Sequence, residues 1–198
     1  MEERPILVAY ATRAGSTREV AEAIGQSLSE HGTRAEVRLV TDVTDLRPYR
    51  AVILGSAVHA GKWLPEAVKF VEQHRADLAM TPLVYFLVCA TLREDTPEHH
   101  REVLAYLDPV RALVQPLEVG LFAGKIDADH LPFLERMMVK VTRSPQGDWR
   151  DWAAIHEWAG ELAERLDLRA AQVLKVGEMS HDGVPQLAVR HVAGCQVC

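Results

Sequence analysis

Residues 5–17 read PILVAYATRAGST, and this segment decides the fold that the sequence predicts. Residues 6–10 are β-forming and apolar, the next residues are small or hydroxylated, and residues 18–29 carry apolar side chains at helical spacing. This order indicates a strand, a loop and a helix. Because the first backbone N–H groups of a helix are unpaired and lie at the positive end of its dipole, the loop suits an anion, above all a phosphate.

Further apolar segments predict strands at residues 34–40, 51–54, 83–90 and 117–122. The first alternates polar and apolar residues, as an edge strand does, and the third, LVYFLVCA, is the most hydrophobic run and is expected near the centre of the sheet. Segments with helical spacing lie between the strands. Continuous apolar strands separated by helices indicate an α/β protein with a doubly wound, five-stranded parallel sheet.

Three loops are expected to meet at one edge of this sheet. They comprise residues 12–17, 57–63 and 91–96, and each follows a predicted strand. In doubly wound folds, ligands bind beyond the carboxyl ends of the strands. These loops are therefore the predicted binding site.

The alternation of strands and helices is interrupted before the last helix. Residues 123–148 form an insertion, after which Asp148 or Asp151 is expected to cap a helix that ends near Leu166. We predict one domain over residues 1–168 that contains this insertion.

The C-terminal extension, residues 169–198, has a different pattern. Residues 173–176 and 187–192 resemble two strands around a His-Asp-Gly turn signal, which predicts a hairpin before the terminal CxxC sequence. Cys195, Cys198 and His191 have spacings that a zinc or iron site could use, and the cysteines could also form a redox pair. Because a closed metal site needs four ligands, we predict no metal and a tail that is frayed or bridged to another molecule.

Composition excludes several classes of protein. The chain has 198 residues, 48% of them hydrophobic and 25% charged, which is ordinary globular usage. Its formal net charge of −6 disfavours a nucleic-acid partner. No apolar run approaches the roughly 20 residues that span a bilayer, and the N-terminus lacks a signal-peptide pattern. We therefore expect a cytoplasmic protein, with at most peripheral contact at the inner face of the membrane.

Common nucleotide motifs are absent from the predicted site. The first loop holds only Gly15, so the Gly-x-Gly-x-x-Gly sequence of dinucleotide-binding folds is missing. GSAVHAGKW, residues 55–63, has one residue too many for a P-loop and places Trp63 where a magnesium-binding hydroxyl is required. The strand ends also lack the carboxylates of a phospho-receiver domain.

Residues 12–17, TRAGST, resemble the phosphate loop of flavodoxins, which binds FMN through hydroxyl and backbone N–H groups. Residues 55–63, 122–127, 137–142 and 148–152 extend this resemblance to the flavodoxin-type, menaquinone-dependent protoporphyrinogen oxidases. The resemblance covers roughly residues 5–166. It implies a flavodoxin-like sheet of strand order 2-1-3-4-5, an insertion at strand 5, and FMN as the cofactor.

The resemblance also implies the cofactor contacts. In the second loop, His59 or Trp63 could flank the flavin ring or donate to it, or could simply fill the top of the sheet. The third loop has no aromatic residue, so its contact with the ring would be backbone and aliphatic. No catalytic acid or base is assigned, and His99 and His100 are predicted to be surface residues. The predicted cofactor-binding residues are Thr12, Arg13, Ala14, Gly15, Ser16, Thr17, Ser56, Ala57, Val58, His59, Gly61, Trp63, Ala90, Thr91 and Leu92.

The functional prediction is an FMN-dependent oxidoreductase resembling protoporphyrinogen IX dehydrogenase (quinone), with a role in porphyrin biosynthesis. Its expected partners are a quinone or a redox protein, and a porphyrinogen as the substrate. Two alternatives stay open: a flavodoxin-type carrier that transfers electrons between proteins, and a flavin-free regulatory or adaptor domain. Formation of a homo-oligomer is also left open.

Overall fold

The computed structural model describes residues 4–127, 146–176 and 188–191. The strands are β1 (Ile6–Ala11), β2 (Ala35–Leu39), β3 (Ala51–His59), β4 (Lys62–Trp63), β5 (Leu83–Cys89), β6 (Glu118–Ala123), β7 (Lys125–Ile126), β8 (Gly147–Asp148) and β9 (Ala188–His191). The helices are α1 (Ser16–Glu30), α2 (Pro65–Gln73), α3 (Arg75–Met80), α4 (Pro97–Ala105), α5 (Asp108–Arg111) and α6 (Trp152–Val176). Short 3₁₀ turns follow β2 and β5, at Val40–Asp42 and Ala90–Arg93.

The main sheet is parallel and has the order β2-β1-β3-β5-β6-β9. Its first five strands are the five that the sequence predicts, and their order confirms the predicted 2-1-3-4-5 arrangement. β9 adds a sixth strand beside β6, with Glu118 opposite Ala188 and Leu121 opposite His191. Two antiparallel hairpins, β3–β4 and β7–β8, complete the described strands.

Helices cover both faces of the sheet because its central strands are apolar on both faces. Successive strand residues point to opposite sides. On one side, Leu54 and Leu87 pack in a core with residues of α2 to α5, and on the other Ile53 and Phe86 pack with residues of α1 and α6. This burial explains why the strands read as continuous hydrophobic runs rather than as alternating ones.

The C-terminal part of the chain corrects the prediction. Residues 173–176 are helical, since α6 runs to Val176 instead of ending near Leu166, so the predicted strand there is wrong. The segment from Leu166 to Val176 is rich in Ala, Leu, Arg and Lys, which are strong helix formers. The second predicted strand exists as β9, but it pairs in parallel with β6 rather than within a hairpin. The predicted turn at residues 181–183 and the CxxC sequence lie outside the described residues.

Candidate functional site

The first loop connects β1 to α1 around an open space. Gly15, the residue before the helix, has a φ of 91°, a left-handed conformation that favours glycine. Its backbone N–H donates to Thr12 Oγ1 at 3.0 Å, which closes the loop. Among the described residues other than its two chain neighbours, no atom lies within 4 Å of the position that a Cβ on Gly15 would occupy. The loop therefore leaves room for a ligand at the N-terminus of a 15-residue helix.

Thr17 lies in the first turn of this helix and is fully buried. Its hydroxyl has no hydrogen-bond partner among the described residues. Burying an unpaired hydroxyl costs about 1–3 kcal/mol. A phosphate beside this turn would accept a hydrogen bond from Thr17 and from the unpaired backbone N–H groups, so the first loop fits a phosphate-bearing cofactor.

The second loop is largely a hairpin. β3 continues to His59, and Ala60 and Gly61, with φ values of 50° and 70°, turn the chain back into β4. Two consecutive residues of positive φ are typical of a type I′ turn, which suits the twist of a two-stranded hairpin. The sequence-based strand, residues 51–54, was therefore too short at its C-terminal end.

Some side chains of this hairpin contact the protein interior instead of the open edge of the sheet. Ser56 is fully buried, and its hydroxyl donates to the Ala57 carbonyl at 2.8 Å and accepts from the Leu64 N–H at 3.1 Å. Trp63 is also buried, and its ring makes a T-shaped contact with the ring of Tyr85, with the centroids 5.1 Å apart. Its ring fills the top of the sheet, but its indole N–H has no hydrogen-bond partner among the described residues, so the predicted role as a donor to the cofactor stays open. His59 is exposed near the tip of the hairpin.

The third loop begins with the 3₁₀ turn Ala90–Arg93. Leu92 is buried in this turn, whereas Ala90 and Thr91 are half-buried. The turn has the sequence ATLR and no aromatic residue. The register of the sheet brings the three loops to one edge, since Ala11 pairs with Ser56, Ala57 with Val88, and Cys89 with Ala123.

Arg150 connects this edge to α1, a role that sequence reasoning missed. Its side chain is 3% exposed, and its guanidinium lies 2.8 Å from Glu19 in the first turn of α1 and 2.7 Å from Asp148. The guanidinium also lies 4.4 Å from the centroid of the Trp152 ring. Hydrogen bonds from Arg150 lower the pKa of the Asp148 carboxyl. In the sequence, only the DWRDW segment, residues 148–152, pointed to this region, and it did not indicate which residues Arg150 would contact.

Tyr106 is a second residue that the sequence did not single out. It follows α4, and its ring comes within 3.3 Å of the position that a Cβ on Gly61 would occupy. Its hydroxyl donates to Glu102, and this hydrogen bond, together with burial, raises the pKa of Tyr106 to about 12. An aromatic residue thus packs against the tip of the second loop from α4, although the third loop provides none.

Two further residues, Cys89 and His100, lie outside the three loops. Cys89 is buried at the end of β5, as expected for a small apolar residue. His100 was predicted on the surface, but its side chain is 15% exposed and lies 2.9 Å from Asp95. Its position on the inner side of α4 explains the difference. Within residues 4–127, 146–176 and 188–191, no group of three His, Cys, Asp or Glu residues could hold a metal, and no helix is long and apolar enough to cross a membrane.

Residues 7–152 match the family model described as "Flavodoxin domain", which is more than half of the chain. The protein therefore belongs to the flavodoxin domain family. This agrees with the parallel sheet and with the phosphate-type loop after β1.

Individual similar proteins extend this finding. A Leishmania major protein named protoporphyrinogen IX dehydrogenase [quinone] is 24% identical over 177 residues, which cover 79% of this chain and 74% of that protein. The Escherichia coli (strain K12) protein of the same name is 23% identical over 175 residues, covering 81% of this chain and 96% of that protein. Among solved structures, a Streptococcus pneumonia TIGR4 flavodoxin has a TM-score of 0.54 at 16% identity, over 83% of this chain and 98% of that one.

Proposed function

We infer that the protein is an FMN-dependent oxidoreductase that transfers electrons from a reduced organic substrate to a quinone. The observation that carries the proposal is the buried hydroxyl of Thr17, which has no partner among the described residues and lies beside the open loop at Gly15. A loop with a single glycine at one helix N-terminus suits a monophosphate better than a pyrophosphate. This supports FMN over a dinucleotide.

The chain offers separate groups for the two ends of FMN. The hydroxyls of Thr12, Ser16 and Thr17 and the first N–H groups of α1 would hold the phosphate, and Arg13 and Ala14 complete the loop. Residues 57–61 of the hairpin and Ala90–Leu92 of the 3₁₀ turn would border the flavin ring. Ser56 would support that hairpin from within, since its hydroxyl already has partners in the protein. The buried indole N–H of Trp63, which has no partner among the described residues, would donate to the cofactor.

In the reaction, the protein would position the cofactor and the substrate and would exclude water. FMN, when bound, would supply the group that takes up a hydride equivalent and passes electrons on. The half-buried residues Ala57 and Val58 would cover one side of the ring. The exposed His59 could approach the ring from the solvent side, but we assign no catalytic acid or base.

The names of the two curated relatives support a porphyrinogen as the electron donor and a quinone as the acceptor. Both proteins match this chain over most of its length, beyond the phosphate loop alone. The proposal includes a cytoplasmic protein that meets a membrane-borne quinone by peripheral contact.

Two measurements test this function. First, FMN is titrated into the purified protein, and quenching of flavin fluorescence is expected to show saturable binding. Second, the FMN-loaded protein is expected to oxidise protoporphyrinogen IX with menadione as the acceptor. Absence of FMN binding would refute the proposal and favour a flavin-free adaptor. Binding without turnover, combined with reduction of a partner protein, would favour an electron carrier.

A further inference from the structure

A cavity of about 210 Å³ lies at the carboxyl edge of the sheet, on the far side of the third loop from the hairpin. The 3₁₀ turn after β5, the end of β6, α4 and the start of α6 line it, and one side is open to solvent. Leu92, Phe122 and Ala154 provide apolar surface, and Trp149 adds an aromatic ring. Leu92 also belongs to the loop that the proposed function places beside the flavin, so the cavity adjoins the cofactor site.

The size of the cavity selects a small ring system. An apolar cavity of about 150 Å³ binds one benzene ring, whereas pockets for drug-sized ligands start at about 300 Å³. A volume of about 210 Å³ therefore holds a two-ring system, and it would hold only part of a tetrapyrrole.

The charges around the cavity select an uncharged ligand. Arg93 lines the cavity and carries several N–H donors, one of which contacts Glu94 at 3.3 Å. Asp95 and Asp151 also line the cavity, so an anion would meet two carboxylates. These two carboxylates are already engaged, because Asp95 pairs with His100 at 2.9 Å and Asp151 accepts from the Ala154 N–H at 3.0 Å. The lining thus favours a neutral aromatic ring with hydrogen-bond acceptors.

We propose that this cavity binds the ring of the acceptor quinone, and that Arg93 donates a hydrogen bond to a quinone oxygen. The proposal rests on the proposed function, which requires a quinone. Phe122 and Trp149 would contact the ring. Conversion of the quinone to its hydroquinone would take up two protons and two electrons. The reduced substrate would give up the two electrons, and FMN, when bound, would supply the chemistry that passes them on. The protons come from solvent.

Equilibrium dialysis of menadione against the FMN-loaded protein tests the site directly. Ala154→Leu fills the cavity without changing charge, and we expect the Kd for menadione to rise at least about tenfold. Ala153→Leu, at an exposed position of the same helix, is the matched control and should change the Kd less than about twofold. Arg93→Gln should raise the Kd about three- to tenfold, whereas Arg101→Gln, on the exposed face of α4, should not change it.

FMN affinity, measured on the same samples, separates the two proposals. Failure of the unaltered protein to bind FMN would refute the proposed function. If FMN binds normally but Ala154→Leu and Arg93→Gln leave menadione binding unchanged, the quinone lies elsewhere and the cavity proposal is wrong. Absence of any menadione binding to the FMN-loaded protein would also overturn it.

Discussion

Two hydroxyl side chains at the carboxyl edge of the sheet have opposite surroundings. Thr17 and Ser56 are both fully buried, one in the phosphate loop and the other in the β3–β4 hairpin. Ser56 both donates and accepts a hydrogen bond within the protein, whereas Thr17 has no partner among the described residues. Since buried polar groups are nearly always paired, the paired hydroxyl serves the fold and the unpaired one indicates a ligand. The buried indole N–H of Trp63 is also unpaired among the described residues, so the same rule makes it a second group that a ligand would satisfy.

Arg150 offers the strongest test of this distinction, because its guanidinium contacts two carboxylates and an aromatic ring at the same edge. Replacing it by Met removes a buried cation from between Glu19 and Asp148. We expect a loss of about 2–3 kcal/mol in the free energy of unfolding, measured by urea denaturation. The magnitude is reduced from that of a fully buried pair because both carboxylates are partly exposed.

Arg18 provides the control for this change. It forms an ion pair with Glu22 on the exposed side of α1, so Arg18→Met should cost less than about 0.5 kcal/mol. Equal effects of the two substitutions would mean that Arg150 does not join the insertion to α1 in the way that the contacts indicate.

Ser56→Ala should have the next largest effect. The substitution leaves the buried Leu64 N–H without its acceptor at the start of α2, which costs about 1–3 kcal/mol. FMN affinity should change less than about threefold, because the hydroxyl is directed at the protein. A substantial loss of FMN affinity in a variant that still folds would show that Ser56 contacts the cofactor after all.

Thr17→Val should have the opposite sign in the FMN-free protein. Removing an unpaired buried hydroxyl is expected to raise the free energy of unfolding by up to about 1 kcal/mol. In the same variant, the Kd for FMN should rise about tenfold, because a donor to the phosphate is lost. Thr33, which is buried away from the loop, gives the matched control Thr33→Val, with unchanged FMN affinity. Destabilisation by Thr17→Val with unaltered FMN binding would assign Thr17 to the fold.

The sequence predicted the topology but not these polar contacts. The strands β1, β3, β5 and β6 can be recognised in the sequence as apolar runs, because each is buried on both faces. The loop at residues 12–17 was predictable because strand, small residues and helix adjoin in the chain. Contacts between distant residues, such as Arg150 with Glu19 or Tyr106 with Gly61, have no local pattern and depend on how elements pack. The register in which β9 joins β6 is likewise set by tertiary packing, which overrides a hairpin signal of only a few residues.

The smallest expected effect concerns pH and the contact between Arg150 and Asp148. Hydrogen bonds from Arg150 lower the pKa of Asp148 in the folded protein. A lowered carboxyl pKa stabilises the fold above the unfolded value of about 3.9, and this contribution is lost as the pH falls through the folded pKa. Between pH 6 and about pH 3, the unaltered protein should therefore lose more stability than Asp148→Asn, by less than about 1 kcal/mol given the partial exposure of Asp148. Asp108→Asn, at an exposed carboxylate 3.7 Å from Arg111, serves as the comparison, and urea denaturation at each pH measures all three proteins. Identical pH dependence of the unaltered protein and Asp148→Asn would show that Arg150 is held by Glu19 and Trp152 alone, which would shift the stabilising contact from the base of the insertion to α1.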